Sequence, residues 1–239
     1  MRDIKIISVG GSIIAPETLD IDFLRAFRTT ITDYLKNDSD RKLILVCGGG
    51  SPARAYQRAF REITAELSEQ EERSEFDQAQ DWIGIAATRL NAELIKHLFW
   101  EYCPVQVITD PSSISLFHGR VLLAAGWKPG RSSDYVAVLL AEKFQADTLI
   151  NLSNIPKVYS ADPKKNADAK PIDRISWKKF GELVGDAWIP GENVPFDPVA
   201  TEYAAKIHIE VIVAAGRDLE NLNRILTDSS FEGTVIGPD

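Results

Sequence analysis

Short apolar runs alternating with longer amphipathic segments constrain this chain more than any other feature of its sequence. "IKIISV" (4–9), "KLILVC" (42–47), "VQVIT" (105–109), "RVLLAA" (120–125), "DTLINL" (147–152), "IEVIVAAG" (209–216) and "GTVIGP" (233–238) read as strands. Between them, helical spacing of apolar residues marks 20–36, 51–67, 73 to about 102, 132–144, 175–185, 196–207 and 218–227. Asp20 stands where an N-cap belongs, and Ser51 caps a helix that takes Pro52 as its first residue. The stretch 153–173 is rich in Pro, Lys, Asn and Asp and reads as a loop with one short hairpin. Strand–helix alternation of this kind predicts a mainly parallel sheet covered by helices on both faces, a three-layer αβα sandwich.

Composition removes several function classes. A net charge of −8 argues against a general binder of nucleic acid or anionic membrane, which needs a basic surface. Cys47 and Cys103 are too few for a disulfide framework and fit a reduced, cytoplasmic setting. No apolar stretch reaches the length of a membrane span, and the N-terminal run is too short for a signal peptide. His97, His118 and His208 lack metal-ligand spacing, and no Ser-His-Asp or Cys-His order supports hydrolase chemistry.

Three expected strands end in glycine-bearing turns: Gly10-Gly11, Gly48-Gly49-Gly50, and the stretch Gly126 to Gly130. In a parallel sheet these turns gather on one edge, where ligands sit at the carboxyl ends of the strands. Glycine lets backbone N–H groups face an oxyanion closely, and helix N-termini add partial positive charge. Neither GxxxxGK[ST] nor GxGxxG is present, so a phosphorylated ligand would be held differently. Arg54, just past the second turn, has the right fork for a phosphate. Asp81, in "DWIGIAATRLNA", has a carboxylate able to accept both hydroxyls of a ribose. Trp127 is set apart from the other tryptophans by lying inside a glycine turn.

Taken together these motifs resemble the amino acid kinase family, and within it the archaeal-type uridylate kinase branch. "VGGSIIAPETLDIDF", "GGGSPARAY", "DWIGIAATRLNA", "VYSADPKK", "FDPVA" and "GTVI" carry the resemblance, which spans nearly the whole chain. It implies a single domain over 1–239, roughly 1–135 binding the acceptor and 136–239 binding ATP. The implied reaction is transfer of the ATP γ-phosphoryl to UMP, with Mg²⁺ carried by the nucleotide phosphates rather than by side chains. Ser8, Gly10, Gly11 and Ser12 would cradle the ATP phosphates, with Gly50 and Arg54 also serving phosphate. Gly49 and Asp81 would meet UMP. Ala125, Gly126, Trp127, Lys128, Pro129, Gly130, Arg131 and Ser132 would wrap it. Asp134 would organise the site, and Ser153, Tyr159 and Asp162 would hold the ATP nucleoside. The family also implies a homo-oligomer, a dimer or hexamer. Within the same fold, an ATP-binding molybdenum or tungsten storage protein and an isopentenyl phosphate kinase are the alternatives. Pro52-Ala53-Arg54 departs from the Gly-His turn of the latter.

The chain departs from the family pattern at three places. Ser8 stands where many members carry lysine, Trp127 where the branch has threonine, and Pro156-Lys157 where Asp-Gly is usual. With no lysine at position 8, the phosphate charge would be met by Arg54, Lys128, Arg131 and Mg²⁺.

Overall fold

The computed structural model describes residues 4–65, 73–163, 166, 168–184 and 195–238. The strands are β1 (Ile4–Val9), β2 (Lys42–Cys47), β3 (Val121–Ala124), β4 (Thr148–Ser153), β5 (Val158–Tyr159), β6 (Pro171–Ile172), β7 (Arg174–Ser176), β8 (Glu210–Ala215) and β9 (Thr234–Gly237). Seven of them form one sheet in the order β3-β2-β1-β4-β8-β9-β7, while β5 and β6 pair separately as an antiparallel ribbon. Every ladder in the large sheet is parallel except β8 against β9. The expected αβα sandwich is present.

The helices are α1 (Gly11–Ile14), α2 (Ile21–Lys36), α3 (Gly50–Thr64), α4 (Arg73–Leu98), α5 (Ser133–Phe144), α6 (Trp177–Val184), α7 (Pro198–Ile207) and α8 (Leu219–Leu226). Strand periodicity of two sends alternate side chains to opposite faces. Ile7, Leu43 and Leu45 pack beneath α2, α4 and α8 through Phe27, Ile31, Ile95 and Leu222. Ile6, Ile44 and Leu149 pack against α5, α6 and α7 through Val136, Leu140, Phe180 and Ala200. Each such buried aliphatic contributes about 1.5–3 kcal/mol over exposure, so these two layers hold the sheet between them. Ser8 lies on the α5–α7 side by the same alternation as Ile6.

Several sequence expectations change. Residues 105–109 form no strand: only Ile108 bridges Ala124, and Pro104 and Pro111, which lack an N–H, stand on either side of the segment. Asp110 instead caps a 3-10 turn at Pro111–Ser113. The segment expected as helix from 175 begins as β7, pairing with β9, before α6 starts at Trp177. The fourth helix ends at Leu98 rather than near 102. Helix α3 begins at Gly50 with Gly49 as its cap, so Pro52 is its third residue. Ser51 is not the cap, and its hydroxyl donates instead to the Glu17 carbonyl at 2.9 Å. The ends of the helices expected over 51–67 and 175–185, with Lys164 and Lys165, lie outside the described residues.

Candidate active site

Four elements deliver polar side chains to the carboxyl ends of β1 and β4. Ser8, buried in β1, donates its hydroxyl to Asp134 Oδ1 at 2.9 Å. Asp134 is in the first turn of α5, whose cap is Ser132, accepting the Tyr135 N–H at 3.1 Å. Asp197 caps α7, its Oδ1 accepting the Ala200 N–H at 2.6 Å, and Pro198 follows as the first helical residue. Asn151, paired in register with Ser8, donates to the Pro195 carbonyl at 2.9 Å and so ties the approach to α7 onto the sheet.

The two acids oppose one another. Crowding by protein pushes the Asp134 carboxyl up to about 6, the charge of Asp197 pushes it further the same way, and the Ser8 hydroxyl pulls against both. Part of Asp134 still reaches solvent. Asp197, almost wholly buried, is pushed up mainly by burial. Ser132 and Arg131 lie near enough to draw it down, yet no hydrogen bond of good geometry reaches its buried Oδ2. The two acids form a negative surplus beside two helix N-termini.

The glycine turns interlock. A Cβ on Gly11 would lie 2.0 Å from the Gly50 nitrogen, and one on Gly48 would lie 2.5 Å from the Gly11 nitrogen. Gly50 itself has a φ of +68°. Gly10, Gly11, Gly48 and Gly50 are therefore required by backbone packed on backbone, apart from any ligand, while a Cβ on Gly49 would meet the Ala53 side chain at 2.6 Å. Ser12 follows in α1, partly exposed, and Arg54 is exposed in the second turn of α3.

The third turn leans on α4. The Gly130 N–H donates to Asp81 Oδ2 at 2.7 Å, and burial pushes the Asp81 carboxyl up while this bond pulls it down. Ala125 is buried and donates to the Ile108 carbonyl at 2.9 Å. Trp127 packs part of its surface on the α5-side core, with the Lys128 ammonium 3.9 Å from its ring centroid. Pro129 is partly buried. Arg131 stacks its guanidinium 4.7 Å from the Tyr135 centroid and donates to the Gly130 carbonyl at 2.9 Å.

Of the residues singled out from sequence, the structure joins Ser8 to Asp134, the first glycine turn to the second, and Asp81 to the third. Ser153 ends β4 at the same sheet edge, accepting the Gly216 N–H at 2.8 Å. Tyr159 lies in β5, on the separate ribbon, with Asp162 just beyond it. Sequence reasoning passed over Asp197, Thr88 and Asn91. An acid directly before Pro198 is a cap signal, and Thr88 and Asn91 share a helix face with Asp81.

This arrangement places the protein among the open-sheet α/β folds that hold small molecules at the carboxyl ends of their strands. The profile of the amino acid kinase family matches residues 3–215, and the chain belongs to that family. It is 33% identical over 228 residues to the uridylate kinase of Thermoplasma volcanium, covering 95% of this chain and 94% of that protein. It is 32% identical over 241 residues to the uridylate kinase of Thermoplasma acidophilum, covering 100% and 99%. The crystal structure of the uridylate kinase from Archaeoglobus fulgidus superimposes with a TM-score of 0.79 at 31% identity, over 98% of this chain and 100% of that one.

Proposed function

We propose that this protein is a UMP kinase, passing the γ-phosphoryl of ATP to UMP to give UDP. The observation that carries the reading is the meeting, at one sheet edge, of three glycine turns, two capped helix N-termini and the Ser8–Asp134–Asp197 group. Phosphoryl transfer needs positioning and charge neutralisation more than a covalent nucleophile, and such an edge offers both. The first two turns, with Ser12 and Arg54, take the phosphates. Asp81, Gly49 and the third turn take UMP, and Ser153, Tyr159 and Asp162 take the ATP nucleoside. Arg131, whose charge is near enough to lower the Asp197 carboxyl, is the cation best placed to serve the transferring group, with Lys128 on the Trp127 ring of the same turn.

The sheet order supports a division into two halves. The strands before residue 135 lie on one side of the β1–β4 seam, and those after it on the other. Mg²⁺ would arrive on the ATP phosphates, for which Asp134 and Asp197 are the nearby acids, and would supply neutralisation of the transferring phosphoryl. Among the described residues no helix is long and apolar enough to cross a membrane, and a cytoplasmic enzyme is part of the same reading. So is a homo-oligomer, dimer or hexamer, since Tyr56 and Ile63 on α3 and Trp82 and Leu90 on α4 are exposed apolar side chains that an assembly would cover.

The test is ADP release measured across UMP, CMP, dUMP and isopentenyl phosphate. UMP should give the highest kcat/KM. Turnover of isopentenyl phosphate alone, or uptake of molybdate with ATP and no turnover of any acceptor, would replace the reading. Light scattering on an eluting peak reads the oligomer.

A further inference from the structure

One face of α4 carries Asp81, Gly84, Thr88 and Asn91, spaced by three, four and three residues as one side of a helix requires. All four touch glycine turns or the helix that follows one. Asn91 is buried, and its Nδ2 donates to the Gly48 carbonyl at 2.8 Å and the Gly49 carbonyl at 3.1 Å. Thr88 is also buried. Its hydroxyl donates to the Ile85 carbonyl at 2.6 Å, which turns a lone pair towards Gly126, whose N–H it accepts at 2.8 Å. A Cβ on Gly126 would come within 2.9 Å of that same oxygen. Gly84 leaves room for Gln57 of α3, whose Nε2 would otherwise meet a Cβ at 2.6 Å and instead donates to the Gln80 carbonyl at 2.9 Å. Arg89, one residue on from Thr88, reaches the Trp127 carbonyl at 3.5 Å.

The first and second turns are locked by direct backbone contact, but the third meets α4 at Gly126, Trp127 and Gly130. We propose that Thr88 and Asn91 are positioning residues, which fix the third glycine turn against the second through the rigid body of α4. Neither side chain is offered to substrate: one spends its hydroxyl and the other its amide on backbone. Their effect passes through the distance between the turn that wraps the acceptor and the turns that hold phosphate. A misplacement of about 1 Å between reacting groups costs on the order of 10²-fold in rate.

The proposal rests on the UMP kinase reading for its kinetic arm only. Thr88→Val keeps the shape and removes the acceptor, while Thr88→Ser keeps the hydroxyl. Thr88→Val should lower kcat with UMP by roughly 10²-fold while the KM for ATP moves by no more than about twofold. Thr88→Ser should recover most of the loss, and Asn91→Ala should lower kcat in the same way. The second arm is amide hydrogen exchange on the peptide spanning 121–132, without substrate. Exchange there should quicken in Thr88→Val and be parental in Thr88→Ser. Should Thr88→Val fail to fold, Thr88→Cys, a poorer acceptor of similar shape, carries the same comparison. Parental kcat in the variant, a loss that serine does not recover, or unchanged exchange overturns the proposal. If the parent releases no ADP with UMP, the kinase reading fails and the exchange arm alone decides.

Discussion

Asp134→Asn should make the protein more stable above pH 6 while removing its activity. The carboxyl moves from 3.8 to about 6 on folding, driven first by desolvation and then by Asp197. At about 1.4 kcal/mol per pKa unit, the ionised form costs roughly 3 kcal/mol, and nearer 2 once water at this partly open position screens it. The folded value lies above the unfolded one, so the native state holds the extra proton between about pH 4 and pH 6. Its stabilisation is complete below the unfolded value and is lost as pH rises through about 6. Asparagine does not ionise, keeps the shape, and relieves Asp197 as well. The measurement is urea unfolding of parent and variant at intervals from pH 4 to pH 8. The variant's advantage should grow by about 2–3 kcal/mol across that range and level off above pH 7. A difference that stays flat with pH would refute the claim that two opposed acids are held here against their own repulsion. Turnover measured alongside should collapse, because the charge that is costly to fold is the one that organises the site.

Asp81→Asn should raise the KM for UMP and narrow its preference over dUMP, a charge-assisted hydrogen bond being about 1.5–3 kcal/mol; an unchanged ratio takes Asp81 out of the acceptor site. Trp127→Thr should change acceptor KM far more than ATP KM, whereas parental kinetics with a lower melting temperature would make the ring a packing residue. Arg131→Ala should lose on the order of 10²–10³ in kcat, as removal of a donor aimed at developing charge does, and parental turnover would return it to the surface. Gly11→Ala should fail to fold or lose more than about 4 kcal/mol, since its methyl meets backbone at 2.0 Å. Gly181→Ala, in the open middle of α6, should instead gain about 0.5–1 kcal/mol by denaturant melt.

The fold was legible wherever strands were buried on both faces, because continuous runs such as "KLILVC" have no other use in a chain of this composition. The short edge strand β7 was not, since Ile175 and Ser176 lead straight into the apolar face of α6 and share its period. Residues 105–109 had strand composition, but the prolines beside them limit pairing to one bridge. The cap at Asp20 and, at the site, the glycine turns were plain from local chemistry. Asp197 was passed over although it stands directly before Pro198, and its opposition to Asp134 depends on two helices, some sixty residues apart in the chain, starting at one sheet edge. Thr88 and Asn91 looked like any polar stripe on a helix. Only the docking of the glycine turns buries that stripe, and docking is tertiary.

The locking of Gly11 into Gly48 and Gly50 bears on how such a protein could change its substrate over time. Positions where any added atom collides with main chain offer selection nothing to vary, so the floor formed by the first two glycine turns is closed to adjustment. Novelty in what the enzyme accepts has to be written elsewhere. Gly130, at a φ of +74°, is held to glycine by its backbone, but Trp127, Lys128, Pro129 and Arg131 of the same turn carry side chains that can change. A library randomised over 127–129 and 131, with Gly130 and α4 left intact, would therefore sample new acceptors on an unchanged floor, whereas the same effort spent on 10–11 or 48–50 would yield mostly unfolded chains.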